Sequence, residues 1–505
     1  MGWHIKICKR RGNDMKIQLP EKVQSIIAQL MRHGYEAYAV GGCVRDSLLG
    51  RVPEDWDITT SATPEEVKAV FKRTVDTGIE HGTVTVMLDK EGFEVTTYRI
   101  DGEYEDSRHP KEVLFTRNLV EDLKRRDFTI NAMAYNEEAG LVDVFGGVQD
   151  LQEKRIRCVG NAGERFDEDA LRILRAIRFS AQLDFSIEEA TLQAAGERAE
   201  NLCRISAERI RTEFNKLLLS DHAKRLVVAK EQGITKVFLP EFDLMLGTTQ
   251  NNPHHIYTVG EHSLCVTELV SDKEKQRKWL FGLGQGLVDK GGSAELLEAA
   301  QNGAYTILLE NVEWSKKEKQ ILRLAAFFHD VEKPICKVEG RDGFDHFQGH
   351  PEKGAKRAKK ILQRLKYDNE TIDTATHLIV WHDYRYELTG KAMRRIIHKV
   401  GAEYMPLLFE LQLSDILSQN PVMLAPKLER LVAAKQMYLD IVAKQECTSL
   451  KMLAVNGTDL IAEGYSAGKE LGAMLQTLLE YVLEYPEQNT KEALLAYAKQ
   501  NFRVE

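Results

Sequence analysis

No apolar run in the sequence is long enough to cross a membrane, no two cysteines stand at Cys-x-x-Cys spacing, and the C-terminal stretch carries no basic tail. Each absence removes a class of protein. The first argues against a transmembrane helix, which needs about 20 apolar residues. The basic segment from Met1 to Met15 also lacks the apolar centre of a secretory signal, so the cytoplasm is the expected compartment. The second, with seven cysteines in all, argues against a disulfide framework and a cysteine zinc site and leaves buried thiols. The third, with a net charge of −8, disfavours indiscriminate gripping of RNA but leaves room for a local basic surface that meets phosphates.

What is present is length. A chain of 505 residues exceeds what one hydrophobic core serves and predicts about two to four domains. At 43% apolar and 29% charged residues it reads as soluble and globular. Residues 1–14 read as an extension without function, with Met15-Lys16-Ile17 opening the first domain. Val23, Ile26, Ile27, Leu30 and Met31 form one helical stripe between Glu21 and His33. Tyr38-Ala39-Val40 reads as a strand, Pro64 to Phe71 as a helix capped by Thr63, and Thr83 to Leu88 with Phe93 to Tyr98 as a hairpin carrying Glu94. A polar loop runs from Asp101 to Lys111. Residues 20 to about 150 thus form a mixed α/β unit. From residue 164 the pattern is all α, through Glu168 to Leu183, Ile205 to Leu219 and onward, with Gly and Lys clustered between 272 and 293 as a loop or insertion.

The most informative stretch is Gly41-Gly42-Cys43-Val44-Arg45-Asp46, followed by Asp55-Trp56-Asp57. Glycines between a strand and a helix let backbone N–H groups approach an anion, and the helix dipole adds to the attraction. Asp55 and Asp57 are two apart in what reads as a strand, so both project from one face and suit Mg²⁺ bridging a nucleoside triphosphate. Glu94, from a neighbouring strand, makes a third carboxylate. That set fits two-metal phosphoryl transfer. Arg125-Arg126-Asp127-Phe128-Thr129 places two guanidiniums where they meet phosphate or ribose. Glu168-Asp169-Ala170-Leu171-Arg172 opens an amphipathic helix with Asp169 and Arg172 on one face. A plain reading is a salt bridge. A sharper one is that the carboxylate accepts from the exocyclic amino group of cytosine or adenine while the guanidinium donates to the adjacent ring acceptor, rejecting uracil and guanine.

These motifs, with Ile130-Asn131-Ala132, Asp143-Val144-Phe145-Gly146-Gly147, Arg165-Phe166 and Arg175 to Phe179, resemble in order and spacing the class II tRNA nucleotidyltransferases. The resemblance covers roughly residues 20 to 220. It implies an α+β protein with a polymerase-beta-like nucleotidyltransferase head at 20–150 after an extension at 1–19. A neck at 151–220, a body at 221–440 and a tail at 441–505, all helical, would follow. It further implies addition of C, C and A to tRNA 3′ ends from CTP and ATP with Mg²⁺, releasing pyrophosphate. Asp55, Asp57 and Glu94 would be catalytic, with Mg²⁺ on the two aspartates. Gly42, Arg45, Arg126, Asp127, Asn131, Asp169, Arg172, Arg175 and Arg178 would bind nucleotide. CC-adding members look shortened in the loop that Asp101 to Pro110 fills here, and poly(A) polymerases of the class tend to carry basic C-terminal extensions; an A-adding enzyme stays open.

In the body, His262, Phe327-Phe328-His329-Asp330-Val331-Glu332-Lys333-Pro334, His350, His382 and Asp415 resemble the HD superfamily of metal-dependent phosphohydrolases. Glu332 departs from the family's glycine, and the 272–318 region lengthens the path from His262 to His329. The resemblance implies a second divalent ion, a transition metal, on His262, His329, Asp330 and Asp415 that activates water on a phosphate ester. A helical spacer that holds tRNA is the alternative. In the tail, Leu453, Leu460, Leu471, Leu475, Leu478, Leu479 and Val482 read mostly as core, and the nucleotidyltransferase resemblance implies that this part contacts the tRNA elbow, as the head meets the acceptor end.

Overall fold

The computed structural model describes residues 16–101 and 113–503. Most of the polar loop from Asp101 therefore lies outside the described residues, as does the N-terminal extension through Met15. The chain packs as two compact units, one ending at Pro240 and the other beginning at Glu241.

In the first unit, α1 (Glu21–Arg32) buries Val23, Ile26, Ile27 and Leu30, and the glycine pair follows β1 (Ala37–Val40) directly to open α2 (Gly42–Leu48). After β2 (Ile58–Thr60) comes α3 (Pro64–Val70), whose start is fixed by reciprocal hydrogen bonds between Thr63 and Glu66. Next are β3 (Thr74–Gly78), β4 (Thr83–Leu88), β5 (Glu91–Thr97) and a small pair, β6 (Arg99–Asp101) and β7 (Val113–Phe115). Then α4 (Leu119–Lys124) precedes β8 (Met133–Asn136) and β9 (Gly140–Asp143). Seven strands form one mixed sheet in the order β3-β4-β5-β2-β1-β8-β9. Within it β2 and β5 run parallel and the other neighbours antiparallel. The unit continues through α5 (Gly147–Gln152), α6 (Ala162–Glu168), α7 (Leu171–Leu183), α8 (Glu189–Glu197) and α9 (Ala207–Leu218), with α7 packed on α9. The architecture is α+β.

Four expectations need correction. Asp55 and Asp57 do not lie in a strand; they occupy the irregular segment before β2, although the Asp57 carbonyl accepts the Val40 N–H at 3.0 Å. The neck helix does not begin at Glu168, because α6 ends there, Asp169 is extended (φ −143°), and α7 starts at Leu171. The region past residue 164 is not purely helical: Ser186–Ile187 pairs with Arg155–Ile156, and Val338–Glu339 with Asp345–His346. Finally, 272–293 is mostly the helix Lys273–Asp289, capped by the Asp272 side chain. Its glycines mislead a composition argument, since Gly284 serves close packing: a Cβ there would stand 2.8 Å from the Leu297 Cβ.

The second unit is built of helices apart from the short pair Val338–Glu339 and Asp345–His346. At its C-terminal end Leu460, Leu478, Leu479 and Val482 are buried in one core, with Leu453, Leu471 and Leu475 packed against it. Among the described residues no helix is long and apolar enough to cross a membrane. Of the described cysteines, Cys43, Cys158, Cys265, Cys336 and Cys447 are buried thiols and Cys203 is exposed.

Candidate active site and a buried histidine–aspartate cluster

The parallel register pairs Ile58 with Val95, both buried. Stepping back one residue on each chain, Asp57 and Glu94 face the opposite side. Both are exposed, and with Asp55 they line a cleft of about 860 Å³. Partial burial pushes the Asp57 carboxyl above its ordinary range; the Arg126 guanidinium pulls it down and the Asp55 charge pushes it up. The three acids do not close into a tight ligand set. Among the described residues, the groups of three or more donors within 4.8 Å of one another are both in the second unit.

Gly41, at φ +82° and ψ −128°, occupies a backbone region that side chains rarely tolerate, and a Cβ there would lie 3.2 Å from Arg126 Nη1. Arg126 is held from behind by Asp122, a fully buried acid of α4 that the motif reading passed over. Asp122 accepts from Arg125 Nε (2.9 Å) and Nη2 (2.8 Å), Arg126 Nη2 (3.3 Å) and Thr59 Oγ1 (3.2 Å). Burial alone would raise its carboxyl, but Arg126 and Arg125 hold it below the usual range. A signal did exist: Asp122 stands three and four residues before the two arginines. Arg126 Nε is buried without a partner among the described residues.

Four of the remaining nucleotide-binding candidates, Arg45, Asn131, Asp127 and Arg175, join in one chain of contacts. Arg45 Nη1 donates to Asn131 Oδ1 (2.7 Å), and Asn131 Nδ2 donates to Asp127 Oδ1 (3.1 Å). Arg175 Nε donates to Asp127 Oδ2 (2.7 Å), tying the glycine loop to α7. Burial opposes ionisation of Asp127, yet Arg175 and Asn131 hold its carboxyl well below the usual range. Gly42 opens α2 beside this network. Arg178 turns away to Glu213 (2.5 Å), lying 3.8 Å over the Phe179 ring. Asp169 and Arg172 meet through the backbone, where the Arg172 N–H donates to the Asp169 carbonyl (3.0 Å), while their side chains have other partners. Asp169 accepts from the Leu171 N–H (3.0 Å) and from Arg209 Nη2 (2.7 Å), a residue on α9 with no local sequence signal. Arg172 is buried and donates to Glu168 Oε2 (2.6 Å), the Arg165 carbonyl (3.1 Å) and the Arg125 carbonyl (3.0 Å).

In the second unit His262, His329, Asp330, His350 and His382 are all buried. His262 lies in the helix Val259–Leu269, His350 opens His350–Arg364, and His329 and His382 follow the ends of Lys316–Phe328 and Asn369–Trp381. Adjacent residues point about 100° apart within a helix. Beyond its end the chain turns, and both His329 and Asp330 face inward. Every Nδ1 is committed to a backbone carbonyl: His262 to Ser418 (3.3 Å), His329 to Ala326 (2.7 Å), His350 to Phe347 (2.8 Å) and His382 to Ile379 (2.7 Å). That leaves the four Nε2 atoms in two groups that share Asp330, His262 with His329 and His350 with His382, each with the free ring nitrogens that metal-ligating imidazoles use. His262 and His329 stand 3.3 Å apart through Nε2, as do His350 and His382. His262 Nε2 is 2.9 Å from Asp415 Oδ1, and Asp330 lies 3.1 Å from His329 and 3.3 Å from His350. Mixed nitrogen and carboxylate donors suit a divalent transition metal. Glu332, the departure from the family pattern, receives Arg357 in a fork at 2.7 and 3.2 Å and so anchors the helix that begins with His350.

The family profile described as "Poly A polymerase head domain" matches residues 37–157, an RNA and SrmB-binding site of polymerase A matches 184–246, and tRNA nucleotidyltransferase domain 2 matches 352–498. A CCA-adding enzyme of Leuconostoc mesenteroides is 44% identical over 277 residues, which is 53% of this chain and 69% of that protein. The chain belongs to the CCA-adding enzyme family. A family member from Enterococcus faecalis is 55% identical over 194 residues, 38% of this chain and 48% of that protein; several other relatives are likewise matched over about half their length. Among solved structures, the Bacillus stearothermophilus CCA-adding enzyme in complex with CTP is 28% identical, covering 94% of this chain and 96% of that one at a TM-score of 0.63. The head profile covers Asp55, Asp57, Glu94, Arg126, Asp127 and Asn131, whereas the C-terminal profile starts beyond His262, His329, Asp330 and His350.

Proposed function

We propose that the protein is a CCA tRNA nucleotidyltransferase. It extends tRNA 3′ ends by C, C and A from CTP and ATP: the terminal hydroxyl oxygen bonds to the α-phosphorus, and the bond to pyrophosphate breaks. The observation that carries the reading is the cleft lined by Asp55, Asp57 and Glu94, with the Arg126 charge acting on Asp57 and Gly41 close against Arg126, in a chain of this family. The donor chemistry fits Mg²⁺, which is commonly held by one or two carboxylates with substrate phosphates completing its shell. When bound it lowers the pKa of the attacking hydroxyl and neutralises the triphosphate. Asp55 and Asp57 would hold it, with Glu94 at the cleft wall. Arg126, braced by Asp122, offers its guanidinium to phosphate, and Gly41-Gly42 lets the chain approach closely. Asp169 and Arg172 select the base once substrate draws them from Arg209 and Glu168.

The proposed organisation is a head at 20–150, neck at 151–220, body at 221–440 and tail at 441–505 in a cytoplasmic protein, with the tail on the tRNA elbow. The test is incubation with a tRNA lacking CCA, all four nucleotides and Mg²⁺, followed by sequencing of the product ends. Two C and one A are expected, and Asp55→Ala or Asp57→Ala should abolish transfer. Addition of A alone to a CC end would make it an A-adding enzyme, and a long A tail a poly(A) polymerase.

The histidine–aspartate cluster supports a second reading, a metal-dependent phosphohydrolase centre in the body. His262, His329, Asp330 and Asp415 would hold the ion, joined by His350 and His382 through Asp330. Metal analysis of the purified protein, with Asp330→Ala as control, tests whether an ion is held; a phosphodiesterase assay with His329→Ala tests the hydrolysis.

A further inference from the structure

The cleft of about 860 Å³ that holds Asp55, Asp57 and Glu94 has room for a nucleotide beside the three acids, and its other walls are unlike a phosphate site. Glu21, Glu54 and Glu91 add three more carboxylates. The one lysine of its lining, Lys22, is already paired with Glu91 (3.0 Å) and Asp89 (3.9 Å). Gly41 and Arg126 stand outside that lining, although the Arg126 charge acts on Asp57. The cleft does contain two half-buried aromatic side chains, Trp56 between the two aspartates in sequence and Phe93 next to Glu94. Among the described residues neither ring stacks on another.

Transfer to a nucleotide's α-phosphorus needs the attacking hydroxyl and the departing pyrophosphate roughly in line, on opposite sides of the reacting phosphate. With the pyrophosphate drawn to Gly41 and Arg126, the hydroxyl arrives from the side of the two rings. We propose that this part of the cleft seats the 3′-terminal nucleotide of the RNA being extended, with its base against Trp56 and Phe93 and its ribose toward the three acids. A nucleoside is neutral and carries N–H and O–H donors, so an acidic wall accepts it where a triphosphate is repelled. Stacking on a ring tolerates any base, which suits a growing end whose last nucleotide changes with each addition. This rests on the transferase reading and adds to it the residues that seat the acceptor.

The test compares two acceptor tRNAs lacking CCA, one intact and one whose last nucleotide has no base but keeps its 3′ hydroxyl. In the wild type, loss of the base should lower kcat/KM about fivefold or more; in Trp56→Leu with Phe93→Leu it should lower it about twofold or less. Trp56→Phe, which keeps a ring, should retain the wild-type response. A purely structural defect slows both RNAs alike, so an equal loss in the wild type and the double variant overturns the proposal, as does a wild type indifferent to the base. A second measurement needs no variant: an RNA ending in 4-thiouridine, irradiated on the wild type without nucleotide, should cross-link to Trp56 or Phe93, and cross-links only to other residues would overturn the assignment. Transfer to the intact RNA without any dependence on the base sinks this seat alone, whereas no transfer by the wild type sinks the transferase reading and the seat with it.

Discussion

Replacing Asp122 by asparagine keeps the shape of the side chain and removes only its charge. The carboxylate has no exposure, while Arg125 and Arg126 are 17% and 19% exposed, so the substitution removes the one buried charge that both guanidiniums share. Breaking a buried pair costs about 3–5 kcal/mol. Because both arginines can regain some water, about 2–3 kcal/mol is expected here. The ionised group lies below its ordinary value of 3.8 in the folded state, so its contribution is fully present above that pH and fades as pH falls through the folded value. The gap between wild type and Asp122→Asn should thus stay constant from about pH 5 to 8 and narrow below about pH 4. Urea denaturation with hydrogen exchange on the 37–60 and 133–136 peptides reads the stability of this unit, and kinetics on CTP reads the release of Arg126 as a raised KM. A stability change within about 0.5 kcal/mol of zero, or a gap that widens in acid, would refute the argument.

Gly41→Ala forces a side chain into φ +82° and against Arg126 Nη1, so a loss of about 1–3 kcal/mol and a weaker grip on CTP are expected; an unchanged melting temperature and KM would show that the loop is not constrained. Asp169→Ala or Arg172→Ala should relax selection of CTP and ATP over UTP and GTP by about 1–3 kcal/mol, with Arg209→Gln producing a smaller effect, all measured by competition between nucleotides. Discrimination that survives all three would end the template reading. Burial pushes the thiols of Cys43 and Cys158 up to about 11 and about 12, so at neutral pH they should resist alkylation while exposed Cys203 is modified, as peptide mapping would report.

The sequence by itself determined the local elements and the residue types at the site. Periodicity gave α1 and the tail stripe, alternation gave the β4–β5 hairpin, and Thr63 with Glu66 marked the start of α3. These depend on spacing along the chain, which the sequence carries directly. It also named every member of the histidine–aspartate cluster, because the resemblance preserves their order. Tertiary structure alone decided which groups meet. Asp57 and Glu94 are neighbours because two strands 37 residues apart run in parallel register, with Ile58 beside Val95. Arg209 reaches Asp169 because α7 packs on α9, and a pairing across 40 residues leaves no periodic trace. The break at Asp169 was hidden since Glu-Asp-Ala-Leu-Arg satisfies helix propensity on either side of it. There the side-chain hydrogen bond to the Leu171 N–H and the ion pair to Arg209 outweigh a weak preference for continued helix.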